Sequence, residues 1–448
     1  MNWKEYLNHN RLRTSTRNTE MDPRNEFESD FGRVIFSPAT RRMHDKTQVF
    51  PLTMDDNIHS RLTHSMEVMA IGHSLGLRIC EEKEFLEKTG LDKEQIHRTI
   101  PVILKNSCLV HDIGNPPFGH FGETVIANYF QTLFKDKKHT FDLSPEQKED
   151  FELFDGNAQG FRVLTKLQIL NDEAGLNLTY ATLGAFLKYP NFGKIDESTI
   201  STSKRGVFQS EIDYLQKIGE NCGLKKGDSY MRHPLSFLME AADSICYLVM
   251  DIEDGFNKGW YSFEFVKSKL KGIDILKEKL EELSKIDEDG KGITRMVKLR
   301  IFLISELVKL AISNYVKNLN KICKGEYDKE LINDDESGLA DTLSDFCYNN
   351  IFLKREIQQL ELTGHSVLSG LLDYYIDCIF IRNKHYKRRA LGMISSSLIK
   401  ASLLENNVTK FDDLNDYFKL RIIVDFVSGM TDQFALNHFQ KLSGQKII

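Results

Sequence analysis

Apolar side chains return every three or four positions along most of this chain, and that spacing predicts helix after helix. The pattern places helices at about 64–88, 99–113, 120–134, 157–172, 178–188, 235–255, 264–284, 293–323, 339–360, 366–381, 387–404 and 412–441. Alternating runs of the kind a half-buried strand needs are few, and only nine prolines interrupt the 448 residues. The expected fold is all-α. A small hairpin would fit near 33–50 or 200–210, and neither is assigned. No repeat with a solenoid period is visible.

Four polar stretches break the helical pattern: 135–150, 190–206, 284–292 and 324–338, each rich in charge or in Ser, Thr and Gly. The third divides a half dense in chemical signals from a half with helices and fewer such signals. The reading is one helical core, residues 1–260, with a helical extension over 261–448, rather than two independent domains. The chain is long enough to bury a sizeable core.

Composition narrows the class. Hydrophobic content of 41% with 28% charged residues describes a globular protein rather than a disordered or membrane-embedded one. Net charge is −6, which gives no global basic signal for nucleic acid. The Lys-rich stretch 267–279 reads as a solvated helix face. Seven cysteines are scattered singly with no CxxC pair, which fits reduced, buried thiols and a cytoplasmic setting. Met1-Asn2-Trp3-Lys4-Glu5-Tyr6 lacks the apolar core of a signal peptide, and no run of about 18 apolar residues appears.

The chemistry gathers at His111-Asp112. The apolar run Leu109-Val110 delivers a neutral nitrogen donor and an anionic oxygen donor side by side, and Gly114-Asn115-Pro116-Pro117 then stops the helix. His64, in Arg61-Leu62-Thr63-His64, and Asp243, on the helix opened by Pro234, complete a candidate metal set of two imidazoles and two carboxylates. That set suits Mn²⁺, Fe²⁺, Co²⁺ or Zn²⁺, and Mg²⁺ less well. Such an ion polarises a phosphoryl oxygen and lowers the pKa of bound water. His120 and Glu123 stand three apart on one helix face, where a carboxylate orients an imidazole and raises its pKa for acid-base work. Asp243, Tyr247 and Asp251 repeat every fourth residue, a row along roughly 12 Å of helix.

Longer strings carry a resemblance. These are Phe31-Gly32-Arg33-Val34-Ile35-Phe36-Ser37, Arg41-Arg42-Met43 with Lys46-Thr47-Gln48-Val49, His111 through Glu123, Gly156-Asn157-Ala158-Gln159-Gly160-Phe161-Arg162, Leu187-Lys188-Tyr189-Pro190 and Ser428-Gly429-Met430-Thr431-Asp432. With the H…HD…D set they resemble the bacterial deoxyguanosine triphosphate triphosphohydrolases (dGTPases) of the HD phosphohydrolase superfamily, from about residue 30 to the end of the chain. The resemblance implies an HD-domain core, with its motifs between about 60 and 252. It also implies hydrolysis of a deoxynucleoside triphosphate to deoxynucleoside and tripolyphosphate, with water attacking the α-phosphorus.

Residue roles follow by position. His64, His111, Asp112 and Asp243 are the implied ligands of a divalent metal, Mn²⁺, Mg²⁺ or Co²⁺. His120 and Glu123 are the implied catalytic pair, with His120 the proton donor to the leaving 5′ oxygen. Gln48 and Asp251 are implied to read the 3′-hydroxyl, with Tyr247 under the sugar. Arg61, Asn115, Asn157, Lys188 and Tyr189 are implied phosphate and sugar contacts. The family forms homo-oligomers, hexamers more often than tetramers, and some members respond to a second nucleotide or to single-stranded DNA. Base-reading residues are not mapped; Arg388, Arg389 and Arg421 are candidates for base or subunit contacts, against an ordinary surface or salt-bridged role. The same four ligands would also serve a nucleotidase or phosphodiesterase, or a sensor that has lost catalysis.

Overall fold

The computed structural model describes residues 2–14, 22–53, 55, 57–136, 140–168, 175–286 and 292–445. Helices dominate, and the extended structure among these residues is one short antiparallel pair, Lys225–Lys226 with Ser229–Tyr230, plus isolated bridges. The hairpin therefore falls at neither of the two places where the sequence would have admitted one.

The helices that shape the site are α1 (Glu26–Ile35), α2 (Arg61–Glu81), α3 (Ile100–Val110), α4 (Gly119–Lys135), α5 (Gly156–Arg162), α6 (Tyr180–Phe186), α7 (Pro234–Asn257), α8 (Ile293–Cys323), α9 (Arg355–Ile376), α10 (Asp416–Ser428) and α11 (Asp432–Leu442). One apolar core surrounds α7, which packs on α2, α3, α6 and α8. Ile245, Leu248, Val249 and Ile252 of α7 are buried there, and each such side chain contributes about 1.5–3 kcal/mol. A second core joins α4 to α9, α10 and α11. Ile113 belongs to the first core and Phe118 to the second, so the turn that carries the His-Asp pair bridges the two.

Local chemistry explains how α2 and α3 present their histidines together. Ser60 and Thr63 form a reciprocal cap that starts α2 three residues before His64. Gly72 and Gly76 then let α2 lie directly on α3; a Cβ at Gly76 would stand 2.6 Å from Pro101 Cα. The close approach brings His64 alongside the end of α3.

Several expected helices differ in extent. Helix α3 ends at Val110 rather than 113, and His111 and Asp112 occupy the turn after it. Asn115 precedes Pro116, a residue pair that disfavours helix, and Gly114 is pressed against the backbone of Gly156 and Gly160. The helix expected over 264–284 divides into Phe263–Leu270 and Lys277–Ser284 around Gly272. The one expected over 412–441 divides at Gly429, with Thr431 capping α11. The run 387–404 breaks between Met393 and Ser396. Of the helix expected over 157–172, α5 continues into a wide turn, Val163–Leu167, and positions 169–172 lie outside the described residues.

Candidate active site

Three elements converge on the His-Asp turn. His64 comes from α2, His111 and Asp112 from the turn after α3, and Asp243 from the middle of α7. One donor atom from each of His64, His111 and Asp243 lies within 4.8 Å of the others. Asp243 Oδ1 is 3.2 Å from His64 Nε2 and 3.1 Å from His111 Nε2. Asp112 Oδ2 is 3.4 Å from His111 Nε2. The Asp112 carboxylate also accepts from Arg61, and from Asn115 Nδ2 at 3.2 Å.

The donor set fits a divalent cation. His111 Nδ1 is 2.8 Å from the Cys108 carbonyl, an arrangement that places the proton on Nδ1 and turns Nε2 toward the carboxylates. That Nε2 is buried and makes no well-formed hydrogen bond. Burial works against charge on His111, but Asp112 and Asp243 outweigh it and push its pKa up to about 10, so the cluster favours a positive charge at this position, a proton or a cation. Burial pushes the His64 imidazole down, toward the neutral form that ligates metals. Burial also opposes charge on both carboxylates. Arg61 and His111 nonetheless hold Asp112 well below the usual carboxylate range, and Lys188 and His111 do the same for Asp243.

Cations line the cluster. Lys188 Nζ donates to Asp243 Oδ2 at 2.6 Å, and its burial is outweighed by Asp243, so it stays charged. Arg61 is buried; its Nε donates to the Thr47 carbonyl at 3.1 Å while Nη1 reaches Asp112. Arg61 also connects the cluster to α4, because a Cβ on Gly119 would stand 3.1 Å from Arg61 Nη2.

His120 and Glu123 occupy the first turn of α4. His120 Nδ1 is 3.0 Å from Glu123 Oε2, and Glu123 Oε1 accepts from the Gly156 amide at 3.0 Å. Glycine is required at 156, since a Cβ there would strike both Glu123 Oε1 and Asn115 Oδ1. The His120 side chain is 72% exposed while Glu123 is 11% exposed, so an anchored carboxylate holds an imidazole that projects into open space. The Glu123 charge raises the His120 pKa.

The remaining expected residues are placed less directly. Gln48 contributes a buried Oε1 without a hydrogen-bond partner. Asp251 is buried one helical turn beyond Tyr247 on α7; burial and Asp254 raise it well above the usual carboxylate range, which makes it a neutral acid. No hydrogen bond joins Gln48 to Asp251. Tyr247 is half-buried, its phenol raised by burial and by Glu330. Asn157 donates from both its amide and its side chain to Asp155 Oδ1, and so shapes the start of α5. Tyr189 lies beneath Lys204, whose Nζ is 5.7 Å from the ring centroid.

Lys204 and Glu330 were not read from the sequence. Lys204 faces Asp155, Tyr189 and Glu123, which keep it cationic against burial. It lies near the end of the polar stretch 190–206, which Asn191 ties together by donating to the carbonyls of Lys194, Thr202 and Lys204. The adjacent Lys204-Arg205 pair following Lys188-Tyr189 was the available signal. Glu330, from the charged stretch 324–338, sits near Glu240 and Lys188, its carboxyl raised by burial and by Glu240.

Arg421 is not a surface contact. It is fully buried, donates to Gln159 Oε1 at 2.9 Å and lies 3.9 Å over the Phe208 ring. Its position is inward because α10 packs on the core through an ionic seam, in which Asp425 also accepts from Arg162 at 3.0 Å. Arg388 and Arg389 are exposed.

An all-α fold with a His-Asp turn, a second histidine on the preceding long helix and an aspartate returning from a later one defines a phosphohydrolase of the HD class. Comparison with known sequences agrees. A phosphohydrolase-associated domain matches residues 334–441. A deoxyguanosinetriphosphate triphosphohydrolase-like protein of Listeria innocua serovar 6a is 34% identical, covering 99% of this chain and all of the relative. A like-named protein of Synechocystis is 33% identical over 99% of both chains. The deoxyguanosinetriphosphate triphosphohydrolase of Klebsiella pneumoniae is 30% identical over 99% of this chain and 97% of its own. The chain belongs to the deoxyguanosine triphosphate triphosphohydrolase family.

Proposed function

We propose that this protein hydrolyses deoxynucleoside triphosphates, dGTP first among them, to deoxynucleoside and tripolyphosphate. The observation that carries the reading is the anchored His120–Glu123 pair, on a helix whose Gly119 lies close to Arg61, which itself pairs with Asp112 beside the His64, His111 and Asp243 group. An exposed imidazole with a raised pKa, next to a cation-lined carboxylate cluster, suits proton delivery to a leaving oxygen beside a phosphoryl group.

The net reaction adds water across the bond between the α-phosphorus and the 5′ oxygen. Hydroxyl goes to phosphorus, and His120 hands a proton to the 5′ oxygen as that bond breaks. Glu123 keeps the imidazole oriented and charged for that transfer. A divalent ion, Mn²⁺, Mg²⁺ or Co²⁺, held by His64, His111, Asp112 and Asp243, supplies Lewis-acid polarisation of a phosphoryl oxygen when bound. Arg61, Lys188 and Lys204 offset the roughly four negative charges of the triphosphate. Asn115, Asn157 and Tyr189 shape the walls around it.

Sugar choice rests on two different effects. Tyr247 presents an aromatic wall at the 2′ position; rejecting a hydroxyl by apolar contact gives about 10²-fold. Gln48 Oε1, a buried unpartnered acceptor, and Asp251, a neutral acid able to donate, are suited to the 3′-hydroxyl, where unmet hydrogen bonds select more strongly. The extension after residue 260 contributes to the base pocket and to homo-oligomer contacts, a hexamer before a tetramer, with a second dNTP or single-stranded DNA as effector. No described helix is long and apolar enough to cross a membrane; the setting we assign is cytoplasmic. A panel of four dNTPs and GTP with each divalent ion tests the reading. Tripolyphosphate from dGTP but not from GTP is expected. Phosphate release from monophosphates, with no tripolyphosphate, would replace it with a nucleotidase.

A further inference from the structure

Asp432 is buried at the first position of α11, and its carboxylate is turned away from its own helix. Oδ1 accepts from the Phe118 amide at 3.0 Å. Oδ2 accepts from the Thr47 amide at 3.0 Å and from the Thr47 hydroxyl. Both donors matter by what they adjoin. Thr47 precedes Gln48, and Phe118 sits two residues before His120.

The Phe118 turn closes on the Gly119 amide, which donates to the Pro116 carbonyl at 3.2 Å, but Phe118 itself is in an unfavourable conformation. Its φ of +64° lies in the left-handed region, unusual for a bulky residue, and Gly119 follows at +60°. Helix α4 starts directly from this turn, so the direction of the turn sets where His120 and Glu123 point. A carboxylate on a segment 314 positions away in sequence fixes it.

A second link runs parallel. Lys46 is buried, and its Nζ donates to the Asn115 carbonyl at 2.5 Å and to the Ser428 carbonyl at 2.8 Å. The carbonyl of Lys46 in turn accepts from the Arg61 amide at 2.9 Å. Segments 46–48, 115–118 and 428–432 are thus tied into one knot beside the metal cluster, with Asp432 touching two of them at once.

We propose that Asp432 is a positioning residue that sets the register between the sugar-reading segment at Thr47-Gln48 and the His120–Glu123 pair. It acts through Phe118 and Thr47 and does not itself meet substrate. The proposal rests on the triphosphohydrolase reading of His120, Glu123 and Gln48.

The test uses the full chain with Mn²⁺, dGTP and 2′,3′-dideoxy-GTP, and the variants Asp432→Ala, Asp432→Asn and Thr47→Val. Misplacing reacting groups by an ångström costs on the order of 10²-fold. For Asp432→Ala, kcat is expected to fall about 10- to 100-fold on both substrates. Its preference for dGTP over the dideoxy substrate is expected to narrow about tenfold, because Gln48 is released as well. Asp432→Asn keeps one acceptor and is expected to fall between Asp432→Ala and the parent. Thr47→Val removes only the hydroxyl contact and should narrow the sugar preference with less effect on kcat.

Amide hydrogen exchange supplies a readout that needs no catalysis. Exchange at 115–123 and 44–50 should quicken in Asp432→Ala, or in Asp432→Asn should the alanine variant fail to fold, while α8 stays unchanged. Parent values of kcat per folded molecule, of sugar preference and of exchange in these segments would overturn the proposal. A parent enzyme inert on dGTP, with the exchange result intact, would instead overturn the triphosphohydrolase reading.

Discussion

Replacing Glu123 by glutamine isolates what the carboxylate does for His120. The substitution preserves shape. Glutamine can still offer one oxygen to the Gly156 amide, which Glu123 Oε1 now engages at 3.0 Å. What is lost is the second oxygen, 3.0 Å from His120 Nδ1, and the negative charge. An amide nitrogen would face Nδ1 instead, and it pairs only with an imidazole that has no proton there. The charge is also the largest cause of the raised His120 pKa. General acid-base contributions of this kind amount to about 10²- to 10⁴-fold, which is about 2.7–5.4 kcal/mol of activation free energy at 1.36 per decade. The sign for pH follows directly. A raised pKa keeps His120 protonated to higher pH, so Glu123→Gln moves the alkaline limb of kcat to lower pH. The assay is kcat for tripolyphosphate release from dGTP between pH 5.5 and 9, with thermal melts confirming folding. A variant with kcat within threefold of the parent and an unmoved alkaline limb would refute the role of the pair.

Two further predictions concern stability. His59 bridges Asp254 at 2.8 Å and Glu67 at 3.2 Å; burial opposes its charge, yet the two carboxylates push its pKa up to about 10. Its unfolded value is about 6.5, so this stabilisation is complete below about pH 6.5 and fades as pH rises through 10. The melting-temperature gap between parent and His59→Gln should therefore be widest near pH 6 and close toward pH 10; a gap that widens with pH would contradict it. Asp425, fully buried in its side chain, accepts from Arg162 and from Gln159 Nε2 at 2.9 Å. Arg162 keeps Glu211 at 2.7 Å, but the fully buried Arg421 loses its ion pair with Asp425 at 3.4 Å. Leaving that charge unpaired, Asp425→Ala should lose about 3–5 kcal/mol in urea unfolding, and a loss under 1 kcal/mol would contradict the account.

How far the sequence speaks depends on the range of the interaction. The helical character was readable from apolar spacing, and the turn at His111-Asp112 and the helix carrying Asp243 from the Gly-Pro stop and Pro234; of the expected donors, the fold brings His64, His111 and Asp243 within 4.8 Å of one another. The helix end at Val110 was misplaced by three residues because apolar Ile113 continues the pattern while the backbone has already left it. The breaks at Gly272 and at Gly429-Met430-Thr431 had visible signals that a continuous apolar stripe masked. Arg421 resisted because an arginine pointing inward is spelled like one pointing out; only Asp425 and Gln159, brought by packing, decide it. Lys204 and Glu330 lie in stretches that read as loops, and their approach to the site is set by long-range contacts. Asp432 stood within a quoted motif, but its bond to Phe118 spans 314 positions and has no local trace.

The central claim is attack at the α-phosphorus with departure of the 5′ oxygen. Turnover of dGTP with Mn²⁺ in ¹⁸O-water, with both products analysed by mass, tests it most directly. The account predicts deoxyguanosine without label and tripolyphosphate carrying one ¹⁸O. Label in the nucleoside, or release of pyrophosphate or single phosphates in place of tripolyphosphate, would contradict it.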